Sequence, residues 1–315
     1  MTLSHAISNI DSYRKRYGFS KALRAIIHYG YIVMKKIKPN SIKNNTIEVN
    51  GYKIAVLPND PFGTSAELLM FHSHEPLSTL IISKILKEGM VCLDIGGNIG
   101  YYVLLESKIV GKTGKVIAIE PSPINFDCLK KNIQLQNGNN VFAYNIAAGD
   151  KDSNVRFLIY EGAGNSCMVV PDGEVSKWPG KLISVPIRMM DTFLTEIDVE
   201  KIDFIRMDVE GYEKNVIAGL KNTIQKSKPV IHVEVHVNIM GIDKTKDLLE
   251  TFKKEGYETI AYVPRDIDTP LIGTIRDIKK LTIDKILELL NSGKLPSFVM
   301  ITLAHSSKNT SLKIS

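Results

Sequence analysis

Residues 91–105, VCLDIGGNIGYYVLL, decide the fold class that this sequence predicts. An apolar run ends at Asp94, a glycine-rich turn follows, and a second apolar run begins immediately. This order is typical of a buried strand that passes through a tight turn into a helix beside a nucleotide. Gly96 and Gly100 would let the backbone of that turn approach a ligand closely.

The sequence around this unit alternates between short apolar segments and helical segments. Such alternation predicts an α/β fold, with a mostly parallel sheet covered by helices on both faces. The predicted strands lie near 90–94, 115–119, 140–145, 202–208, 229–236, 258–263 and 297–303. The predicted helices are 76–88, 100–109, 122–137, 212–226, 243–256 and 282–292.

The 315 residues are expected to form four regions. These are a basic helical extension (1–45), a β-hairpin cap around Asn50-Gly51 (46–75), a core domain (76–305) and a disordered tail (306–315). Residues 150–200 interrupt the alternation of the core domain with β-rich segments. We expect this insert to fold over the substrate as a lid.

The composition favours a soluble globular protein, with 44% hydrophobic and 23% charged residues. No apolar run reaches the ~20 residues of a membrane span. The three cysteines are too few and too scattered to predict disulfides or a zinc site. The first residues lack the apolar core of a secretory signal, so we expect a cytoplasmic protein.

The net charge of +6 is concentrated in the first 50 residues, which contain nine Lys and Arg but only two acidic residues. The remaining residues are close to neutral, which argues against a nucleic-acid partner. Residues 19–38 have the pattern of an amphipathic helix. This helix could make a peripheral contact with an acidic membrane, or it could pack on the core domain or pair two subunits as a homodimer.

The glycine turn does not fit a dinucleotide site. The pattern G-x-G-x-x-G would require glycine where Asn98 and Tyr101 stand, and no G-K-S/T follows for a triphosphate. Asp94 before the turn suits a cation better than a pyrophosphate, so a sulfonium cofactor with an amino acid tail would fit. Glu120, at the end of the next predicted strand, has the position of an acid that binds ribose hydroxyls.

Several sequence blocks between about 75 and 237 resemble, in the same order, those of the FkbM family of S-adenosylmethionine-dependent methyltransferases. The blocks are CLDIGGNIGYY, GKVIAIEPSPINFDCLKKNIQLQN, NIAAGD, DFIRMDVEGYEKNVIAGL and KPVIHVEVH. The resemblance implies a Rossmann-like class I methyltransferase fold, with a seven-stranded, mostly parallel sheet and an antiparallel last strand. It also implies O-methylation of a hydroxyl on a small molecule, sugar, glycan or lipid-linked saccharide.

Two departures from the family pattern are Gly97, where alanine is common, and Arg206-Met207, where lysine-isoleucine is usual. Neither is expected to touch a candidate polar contact. The resemblance implies a set of cofactor-binding residues at the turn and at the ends of the neighbouring strands. The set is Glu75, Asp94, Gly96, Asn98, Gly100, Glu120, Pro121, Ser122, Asn145, Ala147 and Asp208. Glu75 could instead be an acid that favours a helix start.

The candidate catalytic residues follow the fourth and fifth strands of the predicted core. Asp208 ends one strand, and Glu210 and Glu213 then enter a helix. Acids in a first helical turn commonly satisfy free amides, and we assign this role to Glu213 rather than to Glu210.

The fifth strand has four polar residues on one face, which are His232, Glu234, His236 and Asn238. Such a row must be hydrogen-bonded or functional, because central strands are normally apolar on both faces. We interpret His232 as a core histidine. Glu234 and His236 are catalytic candidates, together with Asp208 and Glu210.

Two mechanisms remain open. His236 or an adjacent carboxylate could act as general base on the acceptor hydroxyl. Alternatively, Asp208 and Glu234 could bind Mg²⁺, which would acidify that hydroxyl. The metal-free mechanism is favoured, because the metal site rests on analogy between folds.

Two other functions are weighed against a methyltransferase. One is a non-catalytic nucleotide-binding scaffold, which the intact Asp208, Glu234 and His236 argue against. The other is an NAD-dependent oxidoreductase, which the failed glycine pattern disfavours.

Overall fold

The computed structural model describes residues 14, 18–20, 22–24, 26–27, 46–57, 60, 63–160, 167–170 and 180–308. The predictions of a basic helical extension and of a disordered tail fall largely outside these residues, and so do residues 161–166 and 171–179 of the predicted lid. Among the described residues, no helix is both long and apolar enough to cross a membrane.

The β-hairpin predicted around Asn50-Gly51 is present. It consists of β1 (Thr46–Val49) and β2 (Tyr52–Ala55), which pair in antiparallel register. Asn50 and Gly51 both have positive φ angles, of 52° and 78°. Both central residues of a type I′ turn require such angles, and this turn suits the twist of the two strands.

The strands and helices of the core alternate as the sequence predicts. After α1 (Thr64–Phe71) and α2 (Pro76–Ile85) come β3 (Val91–Ile95), α3 (Tyr101–Val110), β4 (Lys115–Ile119), α4 (Pro123–Leu135) and β5 (Val141–Tyr144). A β-rich segment follows, with β6 (Ala147–Gly149), β7 (Ser153–Tyr160), β8 (Cys167–Val170), β9 (Gly180–Met189) and α5 (Met190–Glu196). The chain then forms β10 (Phe204–Met207), α6 (Glu213–Gly219), α7 (Lys221–Ser227), β11 (Val230–His236), α8 (Val237–Met240), α9 (Ile242–Lys254), β12 (Tyr257–Pro264), α10 (Ile283–Asn291) and β13 (Phe298–His305).

Seven of these strands form one sheet in the order β12-β13-β11-β10-β3-β4-β5. β3, β4, β5, β10 and β11 are parallel, whereas β13 pairs antiparallel with both β11 and β12. The predicted α/β class, with its antiparallel last strand, is therefore confirmed. One apolar core lies on each face of this sheet, as expected when helices cover both sides.

The chain departs from the predicted elements in three places. The predicted helix 212–226 is two helices, α6 and α7. α6 ends at Gly219, where a side chain would overlap the carbonyl oxygen of Gly149. The helices α1, α5 and α8 are absent from the predicted elements. β11 ends at His236, so Asn238 belongs to α8 and does not extend the polar row of that strand.

The interval 150–200 is β-rich, as predicted. β6, β9, β7 and β8 form a second sheet of four strands. A small apolar cluster at this sheet contains Ala147, Phe157, Val185 and Ile187. Because β6 directly follows β5, the second sheet lies beside the carboxyl ends of the main strands.

Candidate active site

A cleft opens at the carboxyl ends of β3, β4 and β10 and is bounded by the second sheet. The cleft and the open solvent at its mouth together comprise about 600 Å³ of space free of protein atoms. Its walls combine apolar side chains with three acidic residues. The residues that line the cleft are Ile95, Gly96, Asn98, Ile119, Glu120, Pro121, Asn125, Ala147, Ala148, Phe157, Val169, Asp208, Val209, Glu210 and Tyr212.

The glycine-rich turn forms the floor of the cleft through unusual backbone angles. Gly96 has a φ of 88°, and a side chain there would overlap the carbonyl oxygen of Asp208. Asn98 also lies in the left-handed region, with a φ of 49°. Gly100 has a φ of 96° and precedes α3, where an added Cβ would lie 2.7 Å from a methyl group of Leu129. Gly96 and Asn98 thus line the cleft, whereas Gly100 allows α3 to pack against α4.

Glu120 lies at the end of β4 and is held by the backbone of two neighbouring turns. Its Oε2 accepts a hydrogen bond from the Asn98 amide at 2.7 Å, and its Oε1 accepts one from the Ser122 amide at 2.8 Å. Burial raises the pKa of Glu120 to about 7, although these amide hydrogen bonds oppose the shift. Asn145 donates to the carbonyl oxygens of Glu120 and Pro121 and so fixes this segment from β5.

Asp94 is fully buried behind the turn and forms an ion pair with Arg206. Nη1 of Arg206 lies 3.2 Å from Asp94 Oδ1 and also donates to the Gly96 carbonyl at 2.9 Å, while Nη2 lies 3.2 Å from Asp208 Oδ2. Burial raises the pKa of Asp94, and the guanidinium opposes this shift. The expectation that Arg206 touches no candidate polar contact is therefore wrong, because the longer side chain spans both strand-end carboxylates.

Glu75 lies in a buried network of charges below Arg206. Its carboxylate accepts a hydrogen bond from Tyr102 Oη at 2.7 Å and pairs with Nη2 of Arg265 at 2.8 Å and Nε2 of His74 at 3.2 Å. Burial opposes ionisation, but Arg265 and His74 lower the pKa of Glu75 well below its usual value. The Arg206 guanidinium lies 4.4 Å from the Tyr102 ring centre. Although Glu75 precedes α2, its side chain makes no capping hydrogen bond.

His236 ends β11 and is surrounded by four carboxylates. Nδ1 lies 2.5 Å from Glu213 Oε1, while Nε2 lies 3.4 Å from Glu210, 3.7 Å from Asp208 and 3.9 Å from Glu234. Burial favours the neutral ring, but the Glu213 hydrogen bond and the surrounding carboxylates raise the pKa of His236 well above its usual value.

Glu213 lies at the start of a helix, as the sequence predicts, and it makes a second contact with His236. It begins α6 and accepts a hydrogen bond from the Gly211 amide at 3.0 Å. The same oxygen faces Nδ1 of His236, and the Glu213 side chain is fully buried. Glu213 therefore orients the His236 ring, a role that the sequence interpretation missed.

Glu234 lies in the middle of the polar face of β11, between Arg265 and His236. The nearest basic atoms are Arg265 Nε at 3.8 Å and His236 Nε2 at 3.9 Å. Burial and the neighbouring Asp208 charge raise the pKa of Glu234 to about 8. His232, two residues earlier, contacts Thr302 at 2.8 Å, and burial lowers its pKa to about 3, as is typical of a neutral core histidine.

The seven-stranded, mostly parallel sheet with its antiparallel β13 is the architecture of a class I methyltransferase. The family model of the "Methyltransferase FkbM domain" matches residues 94–259, just over half of the chain. The chain therefore belongs to the FkbM methyltransferase family. A second model, of the protein-L-isoaspartate(D-aspartate) O-methyltransferase family, matches residues 28–154.

Three curated proteins illustrate the similarity. Methyltransferase 1 of Beauveria bassiana is 27% identical over 41% of this chain and 57% of its own length. The 2-O-methyltransferase NoeI of Sinorhizobium fredii is 27% identical over 60% of the chain and 80% of its length. The hexuronic acid methyltransferase AglP of Haloferax volcanii is 30% identical over 52% of the chain and 63% of its length. The chain thus spans little more than half of the first relative.

A solved structure of an FkbM methyltransferase from Methylobacillus flagellatus is also similar. It is 15% identical in sequence, with a TM-score of 0.44, over 75% of this chain and 51% of the other.

Proposed function

We propose that this protein is an S-adenosylmethionine-dependent O-methyltransferase. The acceptor would be a hydroxyl of a small molecule, sugar, glycan or lipid-linked saccharide. Membership of the FkbM methyltransferase family supports the reaction class. The observation that carries the proposal is the cleft at the strand ends, because it places Glu120 and Asp208 on opposite sides of the glycine turn.

The chemistry of the cleft fits this cofactor. Glu120 offers carboxylate oxygens to ribose hydroxyls, as acids at this position do in nucleotide-binding folds. Apolar residues such as Ile119, Ala147 and Phe157 provide a surface for a base. Asp208 and Glu210, with side chains 25% and 31% exposed, supply negative charge opposite the cationic end of the ligand.

When bound, S-adenosylmethionine supplies an electrophilic methyl group. The carboxylates of Asp208 and Glu210 line the cleft, so they can orient an acceptor hydroxyl and take up its proton. His236 is only 2% exposed and is not among the cleft-lining residues. We therefore assign the proton acceptor to a carboxylate, with His236 holding those carboxylates in place.

The name of one relative supports O-methylation, and the name of the other supports a saccharide acceptor. One is a 2-O-methyltransferase and the other a hexuronic acid methyltransferase. We propose a sugar hydroxyl as the first acceptor class to test. Mass spectrometry of saccharides from a deletion strain should show one species that lacks a methyl group and regains it when the gene is restored.

Calorimetry with S-adenosylhomocysteine and with NAD tests the cofactor. We expect one S-adenosylhomocysteine to bind per chain and NAD not to bind. Glu120→Gln should weaken S-adenosylhomocysteine binding by about tenfold, because a charged acceptor of ribose hydroxyls is lost. Glu88→Gln, a change at an exposed acid, is the matched control and should bind like the unmodified protein. Absence of S-adenosylhomocysteine binding, or preference for NAD, would contradict the proposal.

A further inference from the structure

The two ring nitrogens of His236 have different surroundings. Nδ1 is occupied by Glu213, which is fully buried and therefore fixes the direction of the ring. Nε2 points towards oxygens of Glu210, Asp208 and Glu234 at 3.4–3.9 Å. These separations exceed a normal N–H···O hydrogen bond of about 2.7–3.2 Å. Nε2 and the three carboxylates thus face a common gap without closing it.

Glu234 provides an independent indication that the gap receives a ligand. This residue is only 6% exposed, and its two nearest basic atoms are 3.8 and 3.9 Å away, beyond hydrogen-bond distance. Buried carboxylates are normally paired or coordinate metals. Asp208 uses Oδ2 for Arg206 and directs Oδ1 towards His236.

We propose that Asp208, Glu234 and His236 bind one divalent transition-metal ion, best represented by Mn²⁺. One candidate ligand atom from each residue lies within 4.8 Å of the others. Two trans ligands of an octahedral ion at about 2.1 Å would lie roughly 4.2 Å apart, so small side-chain movements suffice to close the site.

The donor set distinguishes the ion. Mg²⁺ prefers oxygen ligands and retains several waters, and imidazole suits transition metals such as Zn²⁺ and Fe²⁺. Mn²⁺ is a transition metal that also accepts carboxylate ligands. Two carboxylates with one imidazole therefore favour Mn²⁺ over the Mg²⁺ considered from Asp208 and Glu234 alone. Metal-binding histidines commonly donate their second ring N–H to a carboxylate, which Glu213 provides here.

The proposed ion has a function only in the context of the proposed methyl transfer. Asp208 lines the cofactor cleft, so an ion bound to its Oδ1 would lie at the edge of that cleft. A divalent ion makes a coordinated hydroxyl more acidic and fixes its position. An acceptor hydroxyl on the ion would pass its proton to Glu210 or to water.

Metal binding can be tested without any methyl acceptor. The full chain is stripped with EDTA, titrated with Mn²⁺, and bound metal is measured from the loss of the free Mn²⁺ signal in electron paramagnetic resonance. We expect one ion per chain and at least a tenfold loss of affinity in His236→Gln and Glu234→Gln. Glu213→Gln should weaken binding by about ten- to a hundredfold through the orientation of His236. His72→Asn is the control, because His72 is exposed and Asn tolerates its left-handed backbone.

A spectroscopic measurement on the unmodified protein avoids variants that fail to fold. Electron spin echo modulation should detect a nitrogen nucleus coupled to the bound Mn²⁺, with the pattern changed by ¹⁵N-histidine labelling. No stoichiometric Mn²⁺ binding, or binding without nitrogen coupling, would overturn the inference. S-adenosylhomocysteine binding without Mn²⁺ binding would contradict only the proposed metal site. Mn²⁺ binding without S-adenosylhomocysteine binding would contradict only the proposed cofactor.

Discussion

Glu120 is a buried acid with both carboxylate oxygens engaged in hydrogen bonds. It is 4% exposed, and backbone amides occupy both of its oxygens. Burial raises its pKa to about 7, so its charge changes within the range of ordinary buffers. The protonated form has one oxygen occupied by a proton, and it is a poorer acceptor for ribose hydroxyls.

S-adenosylhomocysteine should therefore bind more weakly as the pH falls. If only the ionised Glu120 binds, affinity should decrease by about tenfold between pH 8 and pH 6. Calorimetry across this range measures the change. Glu120→Gln should remove most of the slope, and an equal slope in the two proteins would assign the titration to another group.

At the level of the elements, Arg206 joins two neighbouring strands. It extends from β10 and contacts Asp94 at the end of β3 and Asp208 at the end of its own strand. Arg206→Met should destabilise the fold by about 3–5 kcal/mol, because it leaves the fully buried Asp94 without its cation. Denaturant unfolding measures this change.

Arg206→Lys is the informative companion variant. A lysine retains the charge but lacks the planar fork that reaches two carboxylates, so the loss should be smaller than that of Arg206→Met. Equal losses for the two variants would mean that shape rather than charge determines the stability at this position.

The sequence predicted the elements better than the contacts between them. Apolar periodicity located the strands because buried parallel strands are continuously apolar. It could not show that Glu213 reaches back from α6 to His236, or that Arg265 follows β12 to meet Glu75 and Glu234. These partners are distant along the chain, and only the packing of the sheet brings them together. The roles assigned to Asp208, Glu210, Glu234 and His236 stay predictions.

At the scale of the whole molecule, the strand order places the cleft. β3 lies inside the sheet, with β4 on one side and β10 on the other. The order in which successive strands join the sheet therefore reverses at β3. Ligands bind at such switch points in parallel sheets. The motif in residues 91–105 predicted the turn, and the resemblance to a family predicted the antiparallel β13 that completes the sheet.

Because the cleft is built from several strand ends, ligand binding should stabilise the whole fold. A ligand that binds only the native state at 100 times its Kd adds about 2.7 kcal/mol to the free energy of unfolding. S-adenosylhomocysteine should therefore raise the denaturant midpoint, and NAD at the same concentration should not. In Glu120→Gln, tenfold weaker binding would reduce the gain to about 1.4 kcal/mol at that concentration. Equal gains in both proteins would show that Glu120 does not contact the ligand, and a gain with NAD would favour the dinucleotide alternative.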